Sequence, residues 1–146
     1  MVTWAEETLE KLQQQQVGDE ISLAEYRLRR AQQPHLWSDL RNWIKESCEE
    51  LNEKSGRHLL EFEVGAASKA IVRKLDERGK ISATLRVEND LDAARIRYDC
   101  GAGKGEFTFE SSLRTSSVTI TDPHHTAYST EEAGRKLLDL LMRSPF

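Results

Sequence analysis

After Gly56 the apolar residues stop recurring at about every 3.6 positions and begin to recur at every second one. This change of period constrains the fold more than any other feature, because helices and strands expose their faces at these two spacings. Before it, Leu36, Leu40, Trp43, Ile44, Cys48 and Leu51 follow helical spacing, and Gly56 after "NEKS" is a stop signal. After it, "HLLEFEV" puts Leu60, Phe62 and Val64 on one face and Glu61 and Glu63 on the other. "AIVRKL", "ISATLRV", "ARIRYDC", "EFTFES" and "SVTIT" follow with short turns between them. Strands joined so closely pair antiparallel, since a parallel neighbour needs a crossover of roughly a dozen residues or more. The spacing predicts a five- or six-stranded meander with one wet face.

The chain closes with "STEEAGRKLLDLLMR", in which Ser129 and Glu132 form a capping box and Ala133, Leu137, Leu140 and Leu141 an apolar stripe. Such a helix packs across the apolar face of the sheet. The expected architecture is α+β in one domain: a helical part over 1–56, an antiparallel sheet over 57–122 and a C-terminal helix over 129–143.

Within the helical part, Thr3 and Glu6 form a capping box, Gly18 is the expected break, and Ser22 with Glu25 marks a second start, stapled by Ile21 and Tyr26. Pro34 ends or kinks that segment. Two or three helices are therefore expected. Val17, Ile21, Ala24, Leu28 and Ala31 fall at four-three-four-three spacing, a narrow stripe similar to a coiled-coil seam but barely two heptads long. These five residues are the candidate dimer interface. Trp37 and Trp43, six apart, do not share one narrow face, so one is expected to cap the sheet and the other to meet a partner or solvent.

Composition narrows the function classes. A chain of 146 residues with a net charge of −4 is long enough for one core, and its acidity argues against a protein that coats nucleic acid. No apolar run approaches the roughly 18 residues that span a bilayer, and the acidic start "MVTWAEETLEKL" lacks the pattern of a signal peptide. The expected location is the cytoplasm, with Cys48 and Cys100 as free thiols.

"DCGAGKGEF" (99–107) looks at first like a phosphate cradle. However, Lys104 is followed by Gly105 rather than Ser or Thr, and a strand follows where a helix N-terminus is needed. It reads as a hairpin tip. "DERGK" (76–80) reads as a three-residue hairpin loop with Gly79 left-handed, and "ENDLD" (88–92) as another turn. Counting across that second turn sets Arg86 opposite Arg95 or Arg97 on the wet face, an unfavourable pairing unless compensated. Arg86, Arg95 and Arg97 are thus a candidate anion- or partner-binding group, with internal pairing to nearby acids as the plainer expectation. The adjacent His124 and His125 point to opposite sides of an extended segment and are poor co-ligands for a metal. Cys48 lies on an apolar stripe, and no catalytic constellation stands out. No catalytic, cofactor-binding or metal-binding residues are assigned, and no cofactor is expected.

The size, acidity and helix–sheet–helix order are similar in a general way to those of small acidic secretion chaperones, which implies no more than a protein-binding, chaperone-like role. The leading expectation is a non-enzymatic interaction module that self-associates as a homodimer. One alternative is a carrier of a small apolar ligand, its cavity lined by Phe62, Tyr98, Phe107, Phe109 and Leu137. The other is anion or nucleic-acid binding through the three arginines.

Overall fold

A computed structural model describes residues 1–101 and 103–144. Helix α1 (Trp4–Ser55) leads into strands β1 (Leu60–Glu63), β2 (Lys69–Leu75), β3 (Ile81–Asp90), β4 (Arg95–Asp99), β5 (Lys104–Ser112), β6 (Ser117–Thr121) and β7 (Ala127–Tyr128), and helix α2 (Thr130–Arg143) closes the chain. The strands form one antiparallel sheet in sequence order. The fold is α+β, with seven strands in place of five or six. The additional one, β7, is two residues long and lies against Ile120 and Thr121 at the end of β6.

The N-terminal helices merge into one. α1 runs 52 residues through both Gly18 and Pro34. Its N-terminus has the capping box expected of Thr3 and Glu6, and Gly56 closes it in the left-handed conformation. Ser22 and Glu25 lie inside the helix and cap nothing. Pro34 is tolerated because it sits on the exposed side, where the one bond it removes, to the Arg30 carbonyl, leaves that oxygen to water. Gly18, also exposed, costs roughly 1 kcal/mol relative to alanine, too little to end a helix this long.

The core lies between the inner face of the sheet and two helices. The second half of α1 contributes Trp37, Leu40, Ile44 and Cys48, and α2 contributes Ala133, Leu137 and Leu141. The sheet supplies Leu60, Val72, Leu85, Val87, Ile96, Phe107, Phe109 and Ile120. Each large apolar side chain buried in this way contributes about 1.5–3 kcal/mol. Trp37 is buried and donates its indole N–H to the Ala67 carbonyl at 2.7 Å. Trp43 is half-buried, and its ring lies against the backbone of Gly134 on α2, so closely that any side chain there would collide with it. Lys74 points inward from β2 and donates to the Met142 and Ser144 carbonyls at the end of α2, a cation at a helix C-terminus.

The hairpins explain the registers. At 76–80 the Asp76 carboxylate accepts from the Arg78 and Lys80 N–H groups, and Gly79 is left-handed, φ 77°, as expected. The glycine stretch after Asp99 does join β4 to β5, with the Cys100 N–H on the Gly103 carbonyl at 2.9 Å. The turn placed at 88–92 falls two residues later. β3 continues to Asp90, and residues 91–94 turn, with Asp90 accepting from the Ala93 N–H. Asn89 and Asp90 have low strand propensity, but Gln33 of α1 donates to the Asn89 side chain and the Asp90 carbonyl and holds them in the ladder. Ile81 stands exposed where the β2–β3 register shifts.

Candidate interaction surfaces

Four consecutive-turn residues clamp α1 to one end of the sheet. Arg29 donates to the Ser111 hydroxyl at 3.1 Å and Arg30 to Asp92 at 3.0 Å. Gln32 donates to the Ser116 carbonyl and accepts from the Val118 N–H, each at 3.0 Å. Its amide thus pairs with the open edge of β6 much as a strand would. Gln33 is wholly buried against Asn89 and Asp90.

N-terminal to this clamp the helix makes no such contacts among the described residues. Residues 4–27 extend as an arm of about 36 Å at 1.5 Å per residue, and nearly all of them are exposed. Trp4, Leu9, Leu12, Val17, Ile21, Leu23 and Tyr26 are its exposed large apolar side chains. Of the candidate interface residues, Val17, Ile21, Ala24 and Ala31 are exposed on one stripe, whereas Leu28 at its base is half-buried against the core. At about 100° per residue, Val17, Ile21 and Ala24 point roughly 180° away from Leu40, Ile44 and Cys48. One helix therefore carries two apolar faces, one covered by its own sheet and the other uncovered.

The three arginines lie on the outer face of the sheet, and the shifted turn changes their neighbours. Arg86 stands opposite Asp99, Glu88 opposite Arg97, and Asp90 opposite Arg95. The expected arginine–arginine opposition does not occur. Lys69, Glu88, Arg97 and Glu106 then form a row across β2 to β5 in which the sign alternates. Arg97 reaches Asp90 at 2.8 Å and Arg95 reaches Glu106 at 3.5 Å. The Ala93 N–H first, and Arg97 with it, hold the Asp90 carboxyl below the usual carboxylate range. Only Arg86 of the three makes no ion pair among the described residues.

The fold places the remaining candidates in its core or in the loop before α2. Burial pushes the Cys48 thiol up to about 12, which leaves almost none of it as the reactive thiolate. Cys100 faces inward, 3.1 Å from the Ser144 hydroxyl. In the "DPHHT" loop, Asp122 accepts from the N–H groups of Thr126 and His124 and from the Tyr128 hydroxyl. These donors, Thr126 first, hold its carboxyl below the ordinary value. His125 turns away to Glu110, at 2.5 Å. Among the described residues no three histidine, cysteine or acidic side chains gather as a metal site. Phe107, Phe109 and Leu137 are core residues, and Phe107 packs its ring on Tyr98 and Tyr128 at 5.4 and 5.5 Å.

The fold thus defines an α+β domain bearing a helical arm, and no described helix is long and apolar enough to cross a membrane. Compared with known proteins, the chain matches no family model, no curated protein and no solved structure.

Two features of these surfaces are not prominent in sequence. Gln32 and Gln33 look like ordinary polar helix residues and become part of the clamp between arm and body. Glu20 and Arg27, both exposed, flank the uncovered stripe and were legible only as two charges seven residues apart.

Proposed function

We propose that this chain is a non-enzymatic interaction module that self-associates through the arm of α1. The observation that carries the reading is the uncovered stripe, with Val17 55% and Ile21 46% exposed on a helix whose other half is anchored in a core. A helix that lies free in water gains little beyond local propensity, since most helical stability in proteins comes from packing an apolar face. Here the anchored half supplies the nucleus, which favours helix in the arm and sets the register of its apolar side chains, while leaving the arm free to open until a second copy covers it. A second copy of the same stripe covers them. The outer sheet face supports anion or nucleic-acid binding less well, because its charges alternate in sign and largely meet acids of the same face. The setting that suits the module is the cytoplasm, where Cys48 and Cys100 stay reduced.

Native mass spectrometry of the wild type and of Ile21→Glu tests the reading. A concentration-dependent dimer that Ile21→Glu abolishes, with its circular dichroism and thermal unfolding unchanged, is the expected result. A wild type that stays monomeric at high micromolar concentration would overturn it. Ile21 is the better probe than Leu28, whose side chain also packs on the core.

A further inference from the structure

We infer that two copies of this chain pair their arms antiparallel, and this rests on the self-association proposed above. With Ile21 and Leu28 at the first seam position of successive heptads and Val17, Ala24 and Ala31 at the fourth, Glu20 and Arg27 each immediately precede a seam residue, while Glu25 immediately follows one. All are on the arm, and among the described residues neither Glu20 nor Arg27 makes an ion pair. In a parallel pair, the residue before one seam position meets the residue five further on in the other chain, which sets Glu20 beside Glu25 twice. In an antiparallel pair, the positions preceding the seam meet each other, which sets Glu20 beside Arg27 twice. Charge complementarity therefore selects the antiparallel arrangement and penalises the parallel one.

The seam layers then join Ile21 to Ala24, Leu28 to Val17 and Ala31 to Gln14, over about 25 Å of helix. Two neighbouring features mark its ends. Beyond Ala31 the same side of α1 continues as exposed, polar His35, Asp39 and Asn42. Before Gln14, Leu12 and Leu9 have rotated to another side of the helix. A seam this short belongs to the small, transient class of interfaces, so the dimer forms at roughly micromolar concentration and above. The two folded bodies lie at opposite ends of the paired arms, which leaves both outer sheet faces open.

Glu20→Arg decides the orientation, because its sign of effect differs between the two. Glu20 and Arg27 are exposed and the substitution keeps a good helix former. In the antiparallel dimer it replaces two attractions by two repulsions and should raise the dissociation constant roughly three- to thirtyfold at low salt. Glu20→Arg combined with Arg27→Glu should restore the wild-type value. Mixed samples of Gln14→Cys and Ala31→Cys should form a disulfide-linked dimer on mild oxidation, with the native thiols buried and out of reach. A tighter dimer in Glu20→Arg, with no link between the two cysteine variants, would mean parallel arms and overturn this inference while leaving self-association standing. An unchanged dissociation constant would likewise overturn it. A monomeric wild type would overturn both.

Discussion

The two halves of α1 are made of similar residues and have different fates. Residues 33–51 bury Trp37, Leu40, Ile44 and Cys48 against a sheet, whereas residues 4–27 carry comparable side chains with nothing over them. The difference does not lie in local helix propensity, since both halves are rich in good helix formers. It lies in the clamp of Arg29, Arg30, Gln32 and Gln33, which fixes where the sheet ends and the arm begins. An apolar helical face is thus a statement about a partner, and only tertiary structure shows whether the partner is in the same chain.

The largest expected effect comes from truncating the covered face. Leu40→Ala should cost about 2–5 kcal/mol in chemical denaturation, whereas Ile21→Ala, measured on dilute monomer, should stay within about 0.5 kcal/mol. Equal losses would erase the distinction between the halves. Next, Gly134→Ala forces a methyl into the Trp43 ring and should destabilise by about 1–3 kcal/mol, despite alanine's better helix propensity. A stabilised variant would show that α1 and α2 do not pack as closely as described. Gln32→Ala leaves the Ser116 carbonyl and the Val118 N–H without their side-chain partner. It should cost about 1 kcal/mol and speed amide exchange at Val118, which sharpens where the arm leaves the body. Gly18→Ala should add helical signal from the arm, worth roughly 1 kcal/mol locally, without moving the unfolding midpoint of the body.

Acid should loosen one loop of the body, that of Asp122. The Asp122 carboxyl titrates below its unfolded value because the Thr126 and His124 N–H groups and the Tyr128 hydroxyl bond its charged form. A depressed folded value contributes stability that is present above the unfolded value of about 3.9 and is lost as pH falls through the folded one. The difference in melting temperature between wild type and Asp122→Asn should therefore shrink from pH 7 to pH 3. A constant difference would assign the loop's stability to other contacts.

Much of the body was legible because its signals are local. The capping boxes at Thr3 and Ser129, the Gly79 hairpin and the glycine tip after Asp99 each depend on residues within one turn of one another. What failed depended on distant contacts. Gly18 and Pro34 carry stop signals, but both are exposed in a helix whose continuity costs little there. Asn89 and Asp90 look like turn residues and are held in β3 by Gln33, 56 positions away in the case of Asn89. That two-residue error moved Arg86 from an arginine to Asp99 and changed the apparent character of the whole outer face. β7 is too short to show a period. The stripe from Val17 to Ala31 was legible as a pattern, while its position beyond the folded body was not.

Hydrogen exchange followed at several protein concentrations tests the account most directly, since it reads both halves of α1 in one sample. Amides of residues 36–52 should be protected to nearly the global stability at every concentration. Amides of residues 14–27 should exchange quickly in dilute protein and gain protection as concentration rises into the micromolar range. Protection of the arm that does not change with concentration would contradict the account, because the arm would then owe its order to its own chain and not to a second copy.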